Sequence, residues 1–137
     1  MNLFVYGTLL FDEVRDQVAS SRYRYCPGHV TGYKRVKVQR QIYPALIKGH
    51  GTVDGRLLFD ITSEDLIRLD AFEGAYFNRR SVTVATEKDE SMAAEVYELN
   101  PNHYDIIEDE PWIPADFKQH DLPIFLRTYF GFDKLNT

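Results

Sequence analysis

One cysteine, one tryptophan and two methionines in 137 residues leave the chain little soft or redox chemistry. Cys26 alone cannot close an internal disulfide, so no disulfide framework is expected. His29, His50, His103 and His120 are the four histidines, and they lie too far apart for a local metal motif; the expectation is a site without metal or cofactor. Basic excess is also missing. Sixteen Lys and Arg face twenty-one Asp and Glu, a formal net charge of -5, the wrong sign for a protein that gains affinity by neutralising phosphates. Nucleic acid is therefore not expected as a partner. Long apolar runs are absent as well: Met1–Tyr6 has no basic flank, and Asp12, Glu13 and Arg15 soon interrupt the chain beyond it. No secretory leader or membrane span is expected, and the chain reads as cytoplasmic.

What remains is a globular composition. With 44% hydrophobic and 14% aromatic residues, there is apolar surface enough to offset the entropy of ordering one core. No repeat, linker or low-complexity tract divides the chain, so one domain is expected over residues 1–137.

Along the chain, Asn2–Tyr6 reads as a short strand buried on both faces and broken by Gly7. Leu10, Val14 and Val18 recur every four residues among charges, predicting a helix over Leu9–Ala19. Between Tyr23 and Asp60 the residues Pro27-Gly28, Gly32, Pro44, Gly49, Gly51 and Gly55 read as turns between several short strands of a curved sheet or barrel. Arg79–Thr86 and Met92–Leu99, alternating on either side of Glu87-Lys88-Asp89-Glu90, predict a hairpin. Thr62-Ser63-Glu64-Asp65 has the form of a capping box, with Asp65 reaching back to Thr62, and Gly74 stops the helix it opens. Asn100–Pro114, with its prolines and acids, reads as a loop, and Asp116–Tyr129 as a closing helix that Trp112 anchors. Arg22, Arg24, Lys34, Arg35, Lys37 and Arg40 read as charges on the solvent faces of strands.

Two features point to chemistry. At about 100° per residue, Glu73 projects between Leu66 and Leu69 on the apolar stripe of its helix. It also sits in the last turn, where exposed carbonyls disfavour a negative charge. Desolvation and dipole both raise a carboxyl pKa, as a general acid/base requires. The residues also allow a plainer role, in which Glu73 snorkels outward or pairs with Arg79 or Arg80. Asp70 is a second candidate nearby, or an exposed edge residue. The other feature is Tyr6-Gly7-Thr8-Leu9, where a glycine permits close backbone approach and a helix start offers unpaired N–H groups, fit for a carboxylate or an oxyanion. An ordinary turn capped by Thr8 would have the same residues.

In company these features gain meaning. Leu3-Phe4-Val5-Tyr6-Gly7-Thr8-Leu9, Tyr43-Pro44-Ala45-Leu46, Val53-Asp54-Gly55, Leu69-Asp70-Ala71-Phe72-Glu73-Gly74 and Arg79-Arg80 occur in this order. The sequence resembles the γ-glutamylcyclotransferase-like family, more closely its AIG2-like, γ-glutamylamine cyclotransferase branch. The resemblance implies an α+β fold, a small mixed β-barrel flanked by α-helices, with a pocket where the Tyr6–Leu9 turn faces the Glu73-Gly74 helix end. It implies Glu73 as general acid/base and Tyr6, Gly7, Thr8 and Leu9 as the grip on a γ-glutamyl group. The implied reaction closes a small γ-glutamyl amide to 5-oxoproline and frees an amine, needing no cofactor because the substrate carries its own nucleophile. The family often places a tyrosine shortly before an arginine after the Glu-Gly pair; Tyr76 and Phe77 offer two registers for it. Tyr97 could turn its hydroxyl into the pocket or line the barrel. A different class, a non-catalytic module binding a small carboxylate or a partner on the same fold, is the alternative reading.

Overall fold

A computed structural model describes residues 1–136. Six strands form, β1 (Leu3–Val5), β2 (Tyr25–Val38), β3 (Pro44–Leu58), β4 (Phe77–Thr86), β5 (Ser91–Leu99) and β6 (Ile107–Pro111). They run in the order β3-β1-β5-β4-β2, and β2 pairs again with β3, so five strands close a barrel and β6 extends it from β2. The barrel is mixed because β1 runs parallel to β5 and antiparallel to β3. This is the α+β barrel with flanking helices that the family resemblance implies. Closure leaves no free barrel edge.

The long strands make closure possible. β2 and β3 span 14 and 15 residues, enough for the edge of β2 away from β3 to serve β4 through Gly28 and His29 and β6 through Val36–Val38. The glycines read as turns therefore lie inside strands. Gly28 stands opposite Gly55, and a Cβ at Gly55 would run into the Val5 carbonyl oxygen and the Phe4 ring. Gly32, at φ 91°, sits where the β2–β3 register shifts, a bulge that bends the pair. Glycine here marks close approach and curvature rather than chain reversal.

Two apolar layers result. Phe4, Val30, Leu46, Leu57, Val84 and Val96 fill the barrel. Outside it, Leu3, Val5, Leu58, Tyr97 and Leu99 pack against the helices through Val14, Val18, Leu69, Phe72 and Phe125. The hairpin forms as expected, with Arg79 opposite Tyr97 and Val82 opposite Ala94. The predicted Leu9–Ala19 helix splits into a 3₁₀ turn, Thr8–Leu10, and α1 (Asp12–Val18), with Phe11 extended between them. The expected loop at 100–114 instead holds a 3₁₀ segment, Pro101–Ile106, and β6. Charge hides this strand: β6 is mostly exposed, and its acids face lysines of β2, Lys37–Glu110 at 3.3 Å and Lys34–Asp109 at 3.7 Å. Helix α2 (Ser63–Glu73) lies between β3 and β4. The closing helix begins earlier than expected, as α3 (Pro114–Asp116), passes a π-turn over Phe117–Asp121 and continues as α4 (Leu122–Thr128), before a final 3₁₀ segment, Phe130–Asn136. The π-turn accommodates Pro123, which cannot donate to the ladder and would clash with the preceding turn. Trp112 is buried as an anchor, its indole N–H donating to the Ile42 carbonyl at 2.8 Å. No helix among the described residues is long and apolar enough to cross a membrane.

Helix α2 carries the inward carboxylate, and its start is only half the expected box. The Thr62 hydroxyl accepts from the Asp65 N–H at 3.2 Å. The Asp65 carboxylate turns away from Thr62 and accepts instead from the Ser20 N–H and the Tyr23 hydroxyl, while Thr62 N–H donates to Tyr23. Burial alone would raise the Asp65 pKa, but the hydrogen bonds from Tyr23 and Ser20 outweigh it and hold the group below its ordinary value. A depressed carboxyl adds stability that is present above its unfolded pKa and fades as pH falls through the folded one. Stability to urea should therefore drop below about pH 4, and Asp65→Asn should flatten that drop while lowering stability near neutrality. Parallel pH–stability curves for the two proteins would refute the assignment.

Candidate active site

Between the barrel wall and the helical layer lies a narrow pocket. One side is the run from Tyr6 to Leu9 at the end of β1; the other is Phe72 and Glu73 at the end of α2. Tyr43, Pro44, Tyr97, Phe125 and Tyr129 complete it. All five residues singled out from the sequence, Tyr6, Gly7, Thr8, Leu9 and Glu73, thus border one cavity.

The first wall exists because β1 stops after three residues and Gly7 lies against Pro44. A Cβ on Gly7 would stand 2.7 Å from Pro44 Cγ, so a larger residue would push the turn off its support. Leu10 N–H donates to the Gly7 carbonyl at 2.9 Å and tightens the chain into the 3₁₀ turn. The opening amides of such a turn have no carbonyl behind them to bond. Beneath, the Tyr6 hydroxyl donates to the Tyr97 carbonyl at 2.6 Å and ties the turn to β5.

The second wall ends at Gly74, whose φ of 86° suits glycine and stops the helix. Tyr129 closes the same end, its hydroxyl donating to the Phe72 carbonyl at 2.8 Å and approaching that of Glu73 at 3.4 Å. Glu73 is partly accessible through the pocket, with Phe72, its buried neighbour, packed on Phe125 and Tyr129. Its pKa is pushed up to about 8, first by burial and then by the charge of Asp70 one turn earlier. The phenols of Tyr6, Tyr97 and Tyr129 are also driven up, in each case first by burial, with Glu73 adding to the rise. They therefore stay neutral, and Glu73 is the lining group whose proton is exchangeable near neutrality.

Arg79 does not reach for Glu73. It grips Asp70 through Nε and Nη2 at 3.0 and 3.3 Å and Glu95 through Nη1 at 3.0 Å. The Tyr97 hydroxyl donates to the same Asp70 carboxylate at 2.6 Å. Asp70 is exposed and does not line the cavity, although Arg79 and Tyr97 both bind it; Tyr97 lines the pocket and points its hydroxyl to Asp70. Tyr76 is exposed and lies against His103, whereas Phe77 packs edge-on to Tyr43; neither lines the cavity. Sequence reasoning missed Phe125 and Tyr129 as lining residues. Their apolar spacing in a closing helix carries no sign of a pocket. Among the described residues no cluster of three or more His, Cys, Asp or Glu could hold a metal ion.

A family model described as gamma-glutamyl cyclotransferase, AIG2-like, matches residues 3–114. Among curated relatives, AIG2-like protein C of Arabidopsis thaliana is 30% identical over 128 residues, covering 91% of this chain and 73% of the relative. AIG2-like protein D of the same plant is 28% identical over 118 residues, covering 81% and 78%. A solution structure of an Arabidopsis thaliana protein superposes with a TM-score of 0.70 at 25% identity over 93% of this chain and 87% of the other. A solved gamma-glutamyl cyclotransferase shares the fold, with a TM-score of 0.67 at 18% identity over 99% and 86%. Phe125 and Tyr129, two walls of the pocket, come from chain beyond the family match.

Proposed function

Since this chain belongs to the γ-glutamyl cyclotransferase, AIG2-like family, we propose that it cyclises small γ-glutamyl amides to 5-oxoproline with release of the amine. The observation that carries this reading is the placement of Glu73, whose carboxyl pKa is pushed up to about 8 by burial and Asp70, on one cavity with the Tyr6–Leu9 turn. The γ-glutamyl group lies along Tyr6–Leu9. Glu73 takes a proton from the substrate's α-ammonium, and the freed amine attacks the γ-carbonyl carbon. The new C–N bond closes the ring, and backbone N–H groups of the turn stabilise the charge that develops on the γ-oxygen. The original amide C–N bond then breaks as Glu73 returns the proton to the departing amine, and the ring nitrogen sheds its second proton to solvent to leave the neutral lactam. The aromatic walls hold the substrate folded back on itself and keep water out, supplying the proximity a ring closure needs. Because the nucleophile, base and acid are all provided by substrate and Glu73, this route uses no cofactor.

Release of 5-oxoproline from a panel of γ-glutamyl amides and γ-glutamyl amino acids tests the reading. Failure to release it from any member, with thermal stabilisation by the same compounds, would make the chain a binding module. The pH dependence gives a second check. A base that must be ionised makes kcat/KM climb with pH through an apparent pKa of about 8. Removing the negative neighbour with Asp70→Asn should move that limb to lower pH, since the Asp70 charge contributes to the rise. A limb that stays in place would assign the titration to another group.

A further inference from the structure

Arg35 belongs to the basic run read as solvent-facing, but its guanidinium turns inward beneath the Tyr6–Leu9 turn. Nη1 donates to the Tyr6 carbonyl at 2.9 Å and to the Asp54 carbonyl at 3.0 Å, and Nε donates to the Trp112 carbonyl at 3.2 Å. One planar group thus joins the end of β1, the body of β3 and the segment after β6. Two other arginines hold carbonyls of the same turn: Arg15 takes that of Leu9 at 2.7 Å and Arg56 that of Leu10 at 3.3 Å.

The three differ in what lies across the peptide. In a trans peptide the C=O and the following N–H point in opposite directions, and no peptide among the described residues is cis. Across from the Leu9 and Leu10 carbonyls are the amides of Leu10 and Phe11, which are spent inside the turn on Gly7 and Thr8. Across from the Tyr6 carbonyl is the amide of Gly7, a residue that lines the pocket. We infer that Arg35 is a positioning residue for ligand binding: by holding the Tyr6 carbonyl from behind, it fixes the Gly7 N–H toward the cavity. The positive charge also polarises that peptide, and a carbonyl engaged by a charged donor leaves its N–H a stronger donor in turn. Lysine cannot replace it, because an ammonium lacks the planar fork that reaches three carbonyls at once. This inference rests on the proposed reaction only for its kinetic arm.

The test compares Arg35→Lys with Arg56→Lys, using the γ-glutamyl amide that the wild type turns over fastest. Arg35→Lys is expected to lower kcat/KM at least tenfold, mainly through KM, with a cooperative thermal transition retained. Arg56→Lys, acting on a carbonyl whose peptide amide is already spent, is expected to stay within about twofold of wild type. Equal losses in the two variants, or none in Arg35→Lys, would overturn the assignment. A wild type inactive on the whole panel would defeat the reaction instead, and NMR then decides the Arg35 question. In resting protein, the Gly7 amide proton should lie downfield in wild type and move upfield in Arg35→Lys, while the Leu10 and Phe11 amides stay put; an unmoved Gly7 signal overturns the inference. If Arg35→Lys does not fold, hydrogen exchange on the wild type suffices. A Gly7 amide that exchanges fast in free protein supports an amide turned to the cavity, and one that is strongly protected shows it spent internally and overturns it.

Discussion

Glu73→Gln is expected to cut 5-oxoproline release by about 10³-fold, within the range a positioned acid/base contributes, and to raise the thermal midpoint at the same time. Glutamine keeps the size and can still donate or accept hydrogen bonds, but it cannot carry the proton from the α-ammonium to the leaving amine. The stability gain stems from the pKa of about 8. Between the ordinary carboxyl pKa and that value, the unfolded chain ionises while the folded one resists, so Glu73 costs stability increasingly as pH rises through that window. At pH 7, with the partial water access of the pocket discounting the shift, the cost is on the order of 2 kcal/mol. Paired measurements decide: turnover by 5-oxoproline release, and melting of both proteins at pH 5 and pH 7.5. The gap in midpoint should open at the higher pH and nearly vanish at the lower. Equal turnover in the two proteins would remove Glu73 from the mechanism, and an unchanged midpoint at both values would mean that its carboxyl is not desolvated.

Gly55→Ala is expected to be the most damaging single methyl in the barrel. The added carbon meets the Val5 carbonyl oxygen, a backbone atom that cannot rotate away, and the ring of Phe4, which is 1% exposed with no room to yield. Overpacking of this kind costs about 1–3 kcal/mol, and more where main chain must move. Here β1 would have to move, and it runs directly into the Tyr6–Leu9 turn, so turnover should fall along with stability. Gly28, paired across from Gly55, is the control. An alanine there meets Val84 Cγ1 at 2.7 Å, a side-chain methyl that can shift, with the nearest backbone atom at 3.2 Å. Chemical denaturation should place Gly28→Ala between wild type and Gly55→Ala. The reverse order would mean that β1 is not pinned by β3 as described.

The same glycines show what was legible in the sequence. Their frequency between Tyr23 and Asp60 reads as a series of turns, because composition cannot distinguish a glycine that reverses the chain from one that lets two backbones touch. Alternation over Val82–Val84 and Ala94–Val96, and the Thr62 cap with the Gly74 stop, are local signals, and those elements form as expected. The acidic residues of β6 suppress strand-forming signals and are resolved only by pairing with β2. At the pocket, Glu73 stands out because a charge on an apolar stripe is locally anomalous, and the turn because a glycine ends a strand. Arg35 could not be found this way: it alternates like a solvent charge, and its three carbonyl partners, Tyr6, Asp54 and Trp112, lie 29, 19 and 77 positions away. Phe125 and Tyr129 were hidden for a related reason, since an aromatic that walls a cavity has the same spacing as one that fills a core.

The tail beyond Pro114 performs two tasks with one phenol. Tyr129 bounds the cavity, and its hydroxyl also clasps the carbonyls at the tip of α2. Exchanging this segment between relatives would therefore carry over part of the cavity wall together with the fastener of α2. Divergence at Tyr129 would reshape the cavity wall and reseat the tip of α2 together.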